Sequence, residues 1–372
     1  MSKIYLMSRD DYGADGMRSA VSEAFSRFGV DITSGERVLL KVNLVSGHDV
    51  ARRVTTDPAL VRAVASYVLS RGGVPMICDS PGIDNFRAAA TKAGFMSVAS
   101  ELGIECSELV DPVDTTRGTD FHKIALSRKV LEADKVINLP KLKTHGQMYM
   151  TGGVKNLFGC VPGRLKAGWH YNVGLNREKF AGLLLDIYAT VKPALTIIDG
   201  VIGQDGNGPT SGEPYKFGLI GASTDALTMD FWLCRMMGGS LDDYPLYRAA
   251  VSRGYSECKL DPADVEGDFD SEHRFEGVKF PKTRSMRLLP PLPFLERLMT
   301  SRPVHIPDRC IGCGRCEAVC AAHALKHENR KLHFDYSKCI RCYCCHEMCP
   351  VKAIEFKESA LLSLMNRLGV RS

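Results

Sequence analysis

The chain has 372 residues, 45% of them hydrophobic and 24% charged, with 48 Lys and Arg against 43 Asp and Glu for a formal net charge of +5. That length exceeds one compact domain and leaves room for a large core beside a smaller unit. No apolar stretch is long enough to cross a bilayer and the first residues, MSKIYLMSRDDYGADG, show no charged-then-apolar secretory segment, so the expectation is a cytoplasmic protein without a membrane span.

Short apolar runs over 3–7, 37–42, 74–78, 135–139, 194–198 and 216–221 read as strands. Apolar spacing of three and four over 20–28, 58–70, 85–102, 177–191 and 226–237 reads as helices, and Asp57-Pro58 has the form of an N-cap followed by a first-turn proline. This alternation predicts an α/β fold over residues 1–280, with a mainly parallel sheet and flanking helices.

In such sheets ligands bind beyond the carboxyl ends of the strands. Polar residues gather there: Lys41 and Asn43 after the second run, Asp79 and Ser80 after the third, Lys141, Lys143, Thr144 and His145 after the fourth, and Asp199 after the fifth. Each alone reads as an ordinary strand end entering a polar loop, or in the case of Asp79 as a helix cap. Together they mark a binding rim.

Residues 139–145 read as a loop, continued by a glycine-rich segment with Lys155 and Asn156 and then by Arg164 and His170. Glycines admit backbone N–H groups close to an anion, and Lys141, Lys143, Lys155 and Arg164 supply charge, so a carboxylate or phosphate ligand is expected; the competing reading is a solvated basic loop. Lys155, flanked by apolar residues and glycines, reads as a half-buried lysine whose amine can act chemically. Residues 206–209 read as a turn near the same rim. Neither a dinucleotide fingerprint, a phosphate-binding P-loop nor a nucleophile elbow is present.

Residues 281–305 are proline-rich and read as a linker with a short docking helix near 292–299, residues 306–357 as a small second domain, and residues 358–372 as a helical tail. Nine of the 14 cysteines lie between Cys310 and Cys349. Eight form two copies of C-x-x-C-x-x-C-x-x-x-C: Cys310, Cys313, Cys316, Cys320 and Cys339, Cys342, Cys345, Cys349. Disulfides would need an oxidising compartment, and structural zinc more often uses paired C-x-x-C, so iron–sulfur cubes fit best. The copies are an internal duplication in which Ala321 stands where the second has Pro350, and Cys344 is an extra thiol read as a packed non-ligand. The scattered Cys78, Cys106, Cys160, Cys234 and Cys258 fit a reducing compartment, such as that of an anaerobe.

This segment resembles the two-cluster bacterial ferredoxins, an α+β module. The resemblance implies two [4Fe-4S] clusters with crossed ligands, Cys349 joining Cys310, Cys313 and Cys316, and Cys320 joining Cys339, Cys342 and Cys345. Each cube with its thiolates carries about −2, which brings the total to about +1 and argues against a nucleic-acid partner. KVNLV at 41–45, TTDPALVRAV at 55–64, CDSPG at 78–82, NLPKLKTH at 138–145 and GGVKNLFGCVPG at 152–163 resemble domain of unknown function 362. His145, Lys155 and His170 are spaced in a way similar to nickel-pincer lactate racemases; that resemblance implies an additional cofactor on Lys155, a metal on His170 and His145 as acid or base.

Three functions follow. The first is an oxidoreductase in which the module takes electrons from a redox partner protein and delivers them to an anionic small molecule or cofactor. Lys155, His145 and Lys141 would bind or protonate it, and Lys41, Asn43, Asp79, Ser80, Lys143, Asn156, His170 and Asp199 would line its site. The second is a non-catalytic electron-transfer or assembly partner, and the third a metal-cofactor isomerase.

Overall fold

The structure, a computed structural model, describes residues 3–281 and 298–359 apart from 48, 83, 117, 122, 164, 329 and 330. Arg164, most of the docking helix expected near 292–299 and the tail from 360 onward lie outside the described residues.

The large domain runs β1 (Ile4–Ser8), α1 (Ala14–Arg27), β2 (Arg37–Lys41), α2 (Pro58–Ser70), β3 (Val74–Asp79), α3 (Phe86–Lys92), α4 (Phe95–Leu102), β4 (Glu105–Glu108), β5 (Pro112–Thr115), β6 (Ile124–Ser127), α5 (Arg128–Leu131) and β7 (Lys135–Asn138). It continues through β8 (Lys141–His145), β9 (Tyr149–Thr151), α6 (Gly153–Asn156), α7 (Leu165–Val173), α8 (Arg177–Val191), β10 (Leu195–Asp205), β11 (Glu213–Tyr215), β12 (Leu219–Ser223), α9 (Ala226–Met236), α10 (Pro245–Ser252) and β13 (Val265–Gly267).

The main sheet has the order β13-β1-β12-β10-β7-β2-β3-β4. β10, β7, β2, β3 and β4 run parallel, while β12 is antiparallel to both β10 and β1. Period-two alternation divides the side chains between two cores. Val38, Leu40 and Ile77 meet α1, α2 and α4 on one face, whereas Leu39, Met76 and Cys78 belong to the core of α8, α9 and α10 on the other. The helix over 58–70 forms as its cap predicts, with the Asp57 carboxylate accepting the Ala59 N–H. The helix expected over 85–102 is two, because Gly94 takes a left-handed φ of 79° and turns the chain.

The stretch 139–145 is not a loop. After β7 the chain passes Pro140 and re-enters the sheet as β8, parallel to the distal half of the eleven-residue β10, then returns through β9. Lys141, Lys143 and His145 are consequently buried in a strand. Asp199 does not follow a strand either; it lies within β10.

The second domain contains β14 (Arg302–His305), α11 (Arg315–Ala318), β15 (Leu325–Glu328), β16 (Lys331–Phe334), α12 (Cys344–Glu347) and β17 (Ile354–Lys357). β14 pairs antiparallel with β17, and β15 with β16. The duplication is visible in the backbone: α11 maps on α12, β15 on β17 and β14 on β16, each displaced by 29 residues. β14 begins inside the segment read as linker, because its pairing with β17 closes the module.

One clasp holds the short helix that presents Lys155. Asp230 of α9, fully buried, accepts the N–H groups of Gly153 and Val154 at 2.6 and 3.0 Å. Burial pushes its carboxyl up to about 7 against the pull of those two donors. Asp230→Ala would strand both donors in a dry site, and a loss of about 2–5 kcal/mol is expected from denaturant unfolding.

Candidate functional site

Two small cavities in the module are lined by the cysteines. One holds Cys310, Cys313, Cys316 and Cys349 with Ile311, Leu332, Val351 and Ile354; the other holds Cys320, Cys339, Cys342 and Cys345 with Leu325, Phe334 and Ile340, and the extra thiol of Cys344 also lines it. Each thus gathers three thiols of one run and the last of the other. The last cysteines accept equivalent N–H···S bonds, Ala324 to Cys320 at 3.3 Å and Ala353 to Cys349 at 3.1 Å. Among the described residues no three His, Cys, Asp or Glu side chains converge as a single-ion site. Four thiols spread around an apolar cavity are the donor set a cubic cluster requires.

The large domain buries several lysines, most of them paired. Lys41 Nζ lies 2.9 Å from Asp79 Oδ1 and donates to the Val42 carbonyl, and Gly159 lets this pair exist, since a Cβ there would stand 2.2 Å from Asp79 Oδ1. Lys141 meets Asp199 at 2.9 Å and Tyr12 at 2.8 Å. Lys143 donates to Asn43 Oδ1 and the Val54 carbonyl; Asn43 Nδ2 donates to Asn156 Oδ1, and Asn156 Nδ2 to Asn138. Burial lowers the pKa of Lys141 and, with Lys155 and Lys141 nearby, that of Lys143 further.

A cavity of about 590 Å³ lies between the two domains. From the large domain it is lined by Lys41, Asn43, Asp79, Ser80, Lys155, Asn156 and His170 among the residues singled out from the sequence, and by Leu44, Val45, Phe158 and Lys166. The module contributes Val319, Cys320, Cys342, Cys344, Glu347 and Met348. Lys141, Lys143, His145 and Asp199 do not line it: Lys141 and Asp199 neutralise each other inside the sheet, and Lys143 stands behind Asn43.

His145 is held one layer back. Its Nδ1 accepts the N–H groups of Gln147 and Met148, and its Nε2 stands 3.2 Å from Glu347 Oε1, within ion-pairing distance but outside hydrogen-bond geometry. Glu347, on α12 between two cluster-run cysteines, escaped the sequence reading. Its signal was there: the duplicate position in the first copy is Ala318, so a carboxylate replaces an apolar residue.

Lys155 differs from the other lysines. Among the described residues it makes no side-chain hydrogen bond or ion pair, and what surface it keeps opens into the cavity. Burial lowers its pKa, and the Glu347 carboxylate limits the fall. Lys166 donates to the Ser80 carbonyl at 2.7 Å and is brought down to about 8 by burial. Burial likewise takes His145 and His170 down to about 4, leaving both imidazoles neutral near pH 7. Burial alone would raise the Glu347 carboxyl, but His145, Lys155 and His170 outweigh it and hold it down at about 2.

The module is fixed over this cavity by Arg315 with Asp84, Lys352 with Glu213 at 2.7 Å, Thr210 Oγ1 donating to the Glu347 carbonyl at 2.7 Å, and His346 against the Asn207 carbonyl in the 206–209 turn. Among the described residues no helix is long and apolar enough to cross a membrane.

The model of the family "Domain of unknown function (DUF362)" matches residues 38–235, and that of a 4Fe-4S dicluster domain matches residues 304–358. A thylakoid-associated protein of Synechocystis is 35% identical over 281 residues, covering 75% of this chain and 86% of that protein. A pyruvate synthase subunit, PorD, of Methanocaldococcus jannaschii is 36% identical over 56 residues, 15% of this chain, which spans 65% of that subunit. The lactate racemase apoprotein of Thermoanaerobacterium thermosaccharolyticum superposes with a TM-score of 0.39 at 11% identity, over 61% of this chain and 55% of that one.

His170 packs against both Phe158 and Phe180, whose rings also meet each other. Its folded pKa of about 4 lies below the ordinary 6.5, so between these values the unfolded chain binds a proton that the folded chain refuses. Stability is therefore full above about 6.5 and falls as the pH drops toward 4. Denaturant midpoints across that range are expected to fall less steeply in His170→Phe than in the parent chain.

Proposed function

We infer a function for a chain that belongs to the DUF362 family and carries a 4Fe-4S dicluster domain, which makes it an iron–sulfur electron-transfer protein. Our proposal is that it is an oxidoreductase whose interdomain cavity binds an anionic ligand and exchanges electrons with it. Bound clusters supply one-electron transfer. The carrying observation is Lys155, an amine without a protein partner in a cavity that also exposes Cys320 and Cys342 of the second four-cysteine site.

The chain's own residues divide the work. A ligand gains negative charge as an electron arrives, and a fixed cation in a water-poor site stabilises that charge far better than a solvated one. Lys155 is that cation, and its lowered pKa lets it give up a proton more readily than a surface lysine. Lys166 adds a second positive group, while Asn156 and Asn43 fix the floor through their mutual bond. Glu347, kept ionised, lines the same cavity and keeps the pKa of Lys155 from falling further. The roles of Lys141, Lys143 and Asp199 on this account are to hold the sheet edge, as their internal pairing indicates.

The similarity of the module to a pyruvate synthase subunit supports a partner protein as the source or sink of electrons. The cysteine cavities support crossed ligation, Cys310, Cys313, Cys316 and Cys349 for one cluster and Cys320, Cys339, Cys342 and Cys345 for the other.

Crossed ligation has a direct test. Cys310→Ser with Cys349→Ser should lose one cluster and keep about four of about eight iron atoms per chain, whereas Cys342→Ser with Cys349→Ser should lose both; iron analysis after anaerobic purification decides it. For the cavity, reduced protein is mixed with a panel of small carboxylate and phosphate acceptors and the return of cluster absorbance is followed. Lys155→Met should keep its iron, still reduce a partner ferredoxin, and reoxidise with the productive acceptors at least about 10-fold more slowly. An unchanged rate, or no acceptor that saturates, would leave the electron-carrier reading instead.

A further inference from the structure

The cavity's size and its distribution of unsatisfied groups narrow the ligand. A volume of about 590 Å³ falls in the range that encloses a cofactor-sized molecule and is far larger than a two- or three-carbon acid needs. Leu44, Val45, Phe158, Val319 and Met348 give the lining apolar surface, and Lys41, Asn43, Asp79, Lys155 and Glu347 give it polar groups. Its lysines differ in their partners: among the described residues Lys155 makes no side-chain hydrogen bond, whereas Lys166 donates to the Ser80 carbonyl at 2.7 Å and keeps further N–H donors.

His170 shares the cavity with both lysines. It is 9% exposed, it lines the cavity, and its Nδ1 has no hydrogen-bond partner. A buried ring nitrogen left unpaired is unfavourable, so a ligand atom that pairs with it is favoured.

We propose that this cavity binds a flat redox heterocycle carrying a phosphate, with flavin mononucleotide as the representative: the phosphate on Lys166, the ring against the apolar lining residues with a polar edge on His170, and the pyrimidine edge, where charge gathers on reduction, against Lys155. The assignment rests on the reading that this cavity exchanges electrons with its ligand. In the redox step the oxidised ring takes up two electrons and two protons to become the dihydro form, or two electrons and one proton to become its anion. The electrons enter singly from a one-electron donor protein through the module, the donor is oxidised twice, and the protons come from solvent. Such a ring joins the one-electron chemistry of clusters to two-electron chemistry on a substrate.

The test is an anaerobic titration of the cluster-loaded full chain with flavin mononucleotide and with riboflavin, read by quenching of flavin fluorescence, followed by a redox titration of the bound flavin. One flavin mononucleotide per chain is expected, with riboflavin at least about 10-fold weaker for want of the charge-assisted phosphate contact. Lys166→Met should weaken flavin mononucleotide by a similar factor and remove its advantage over riboflavin. Lys155→Met should keep that advantage but shift the flavin midpoint potential to a more negative value, a change that a merely structural lysine would not produce. Retained cluster absorbance certifies that each variant is folded. Absence of binding, equal affinity for the two flavins, or indifference to both lysine variants would overturn the flavin assignment. Reoxidation by other anionic acceptors that still depended on Lys155 would then show that the assignment alone had failed and that the electron-exchange reading stood.

Discussion

The docking of α12 on the carboxyl edge of the large sheet is the constraint on which the rest of the site depends. α12 carries Cys345 of the second four-cysteine site and, two residues on, Glu347, which sits among His145, Lys155 and His170. A carboxylate this enclosed is tolerable only because positive and polarisable groups surround it. In settling there it fixes how far the cysteine site stands from the strand ends and roofs the cavity between them. The hydroxyl of Thr210, donating to the Glu347 carbonyl, and the Arg315 and Lys352 pairs hold the same pose.

The sheet edge supplies a floor rigid enough to receive it. Lys41 with Asp79 and Lys141 with Asp199 are fully buried ion pairs, and breaking such a pair by removing one partner typically costs about 3–5 kcal/mol. Lys143 is satisfied by an amide and a carbonyl, within a network that continues through Asn43 and Asn156 to Asn138. Against this background of satisfied charge, Lys155 stands out. A lysine that the fold has enclosed but not paired is a group kept for something that arrives from outside.

Much of this was legible in the sequence, and the exceptions have physical causes. Cysteine spacing is a covalent constraint, so the two runs and their duplication translated directly into α11 with α12 and β14 with β16. The parallel strands could be read because their apolar residues alternate between two cores. Residues 141–145 misled because three basic side chains in five residues look like a solvated loop. The same residues also alternate, with Leu142 in the core and Lys141, Lys143 and His145 between its partners, which is the period of a strand. Which lysines face the cavity depends on partners more than 50 residues away, as in Lys141 with Asp199, and no local pattern encodes that. Lys166 was missed for the same reason, since it reaches the cavity through Ser80, 86 residues away, whereas Glu347 could have been noticed against Ala318 in the first copy.

The most direct measurement of the central claim is a crystal structure of anaerobically purified protein, with anomalous data collected at the iron edge. The account predicts two four-iron cubes, one within the Cys310, Cys313, Cys316, Cys349 set and one within the Cys320, Cys339, Cys342, Cys345 set, with α12 still roofing a cavity into which Lys155 projects beside the second cube. Zinc in place of the cubes, or a module docked elsewhere so that Lys155 faces open solvent far from any cluster, would contradict it.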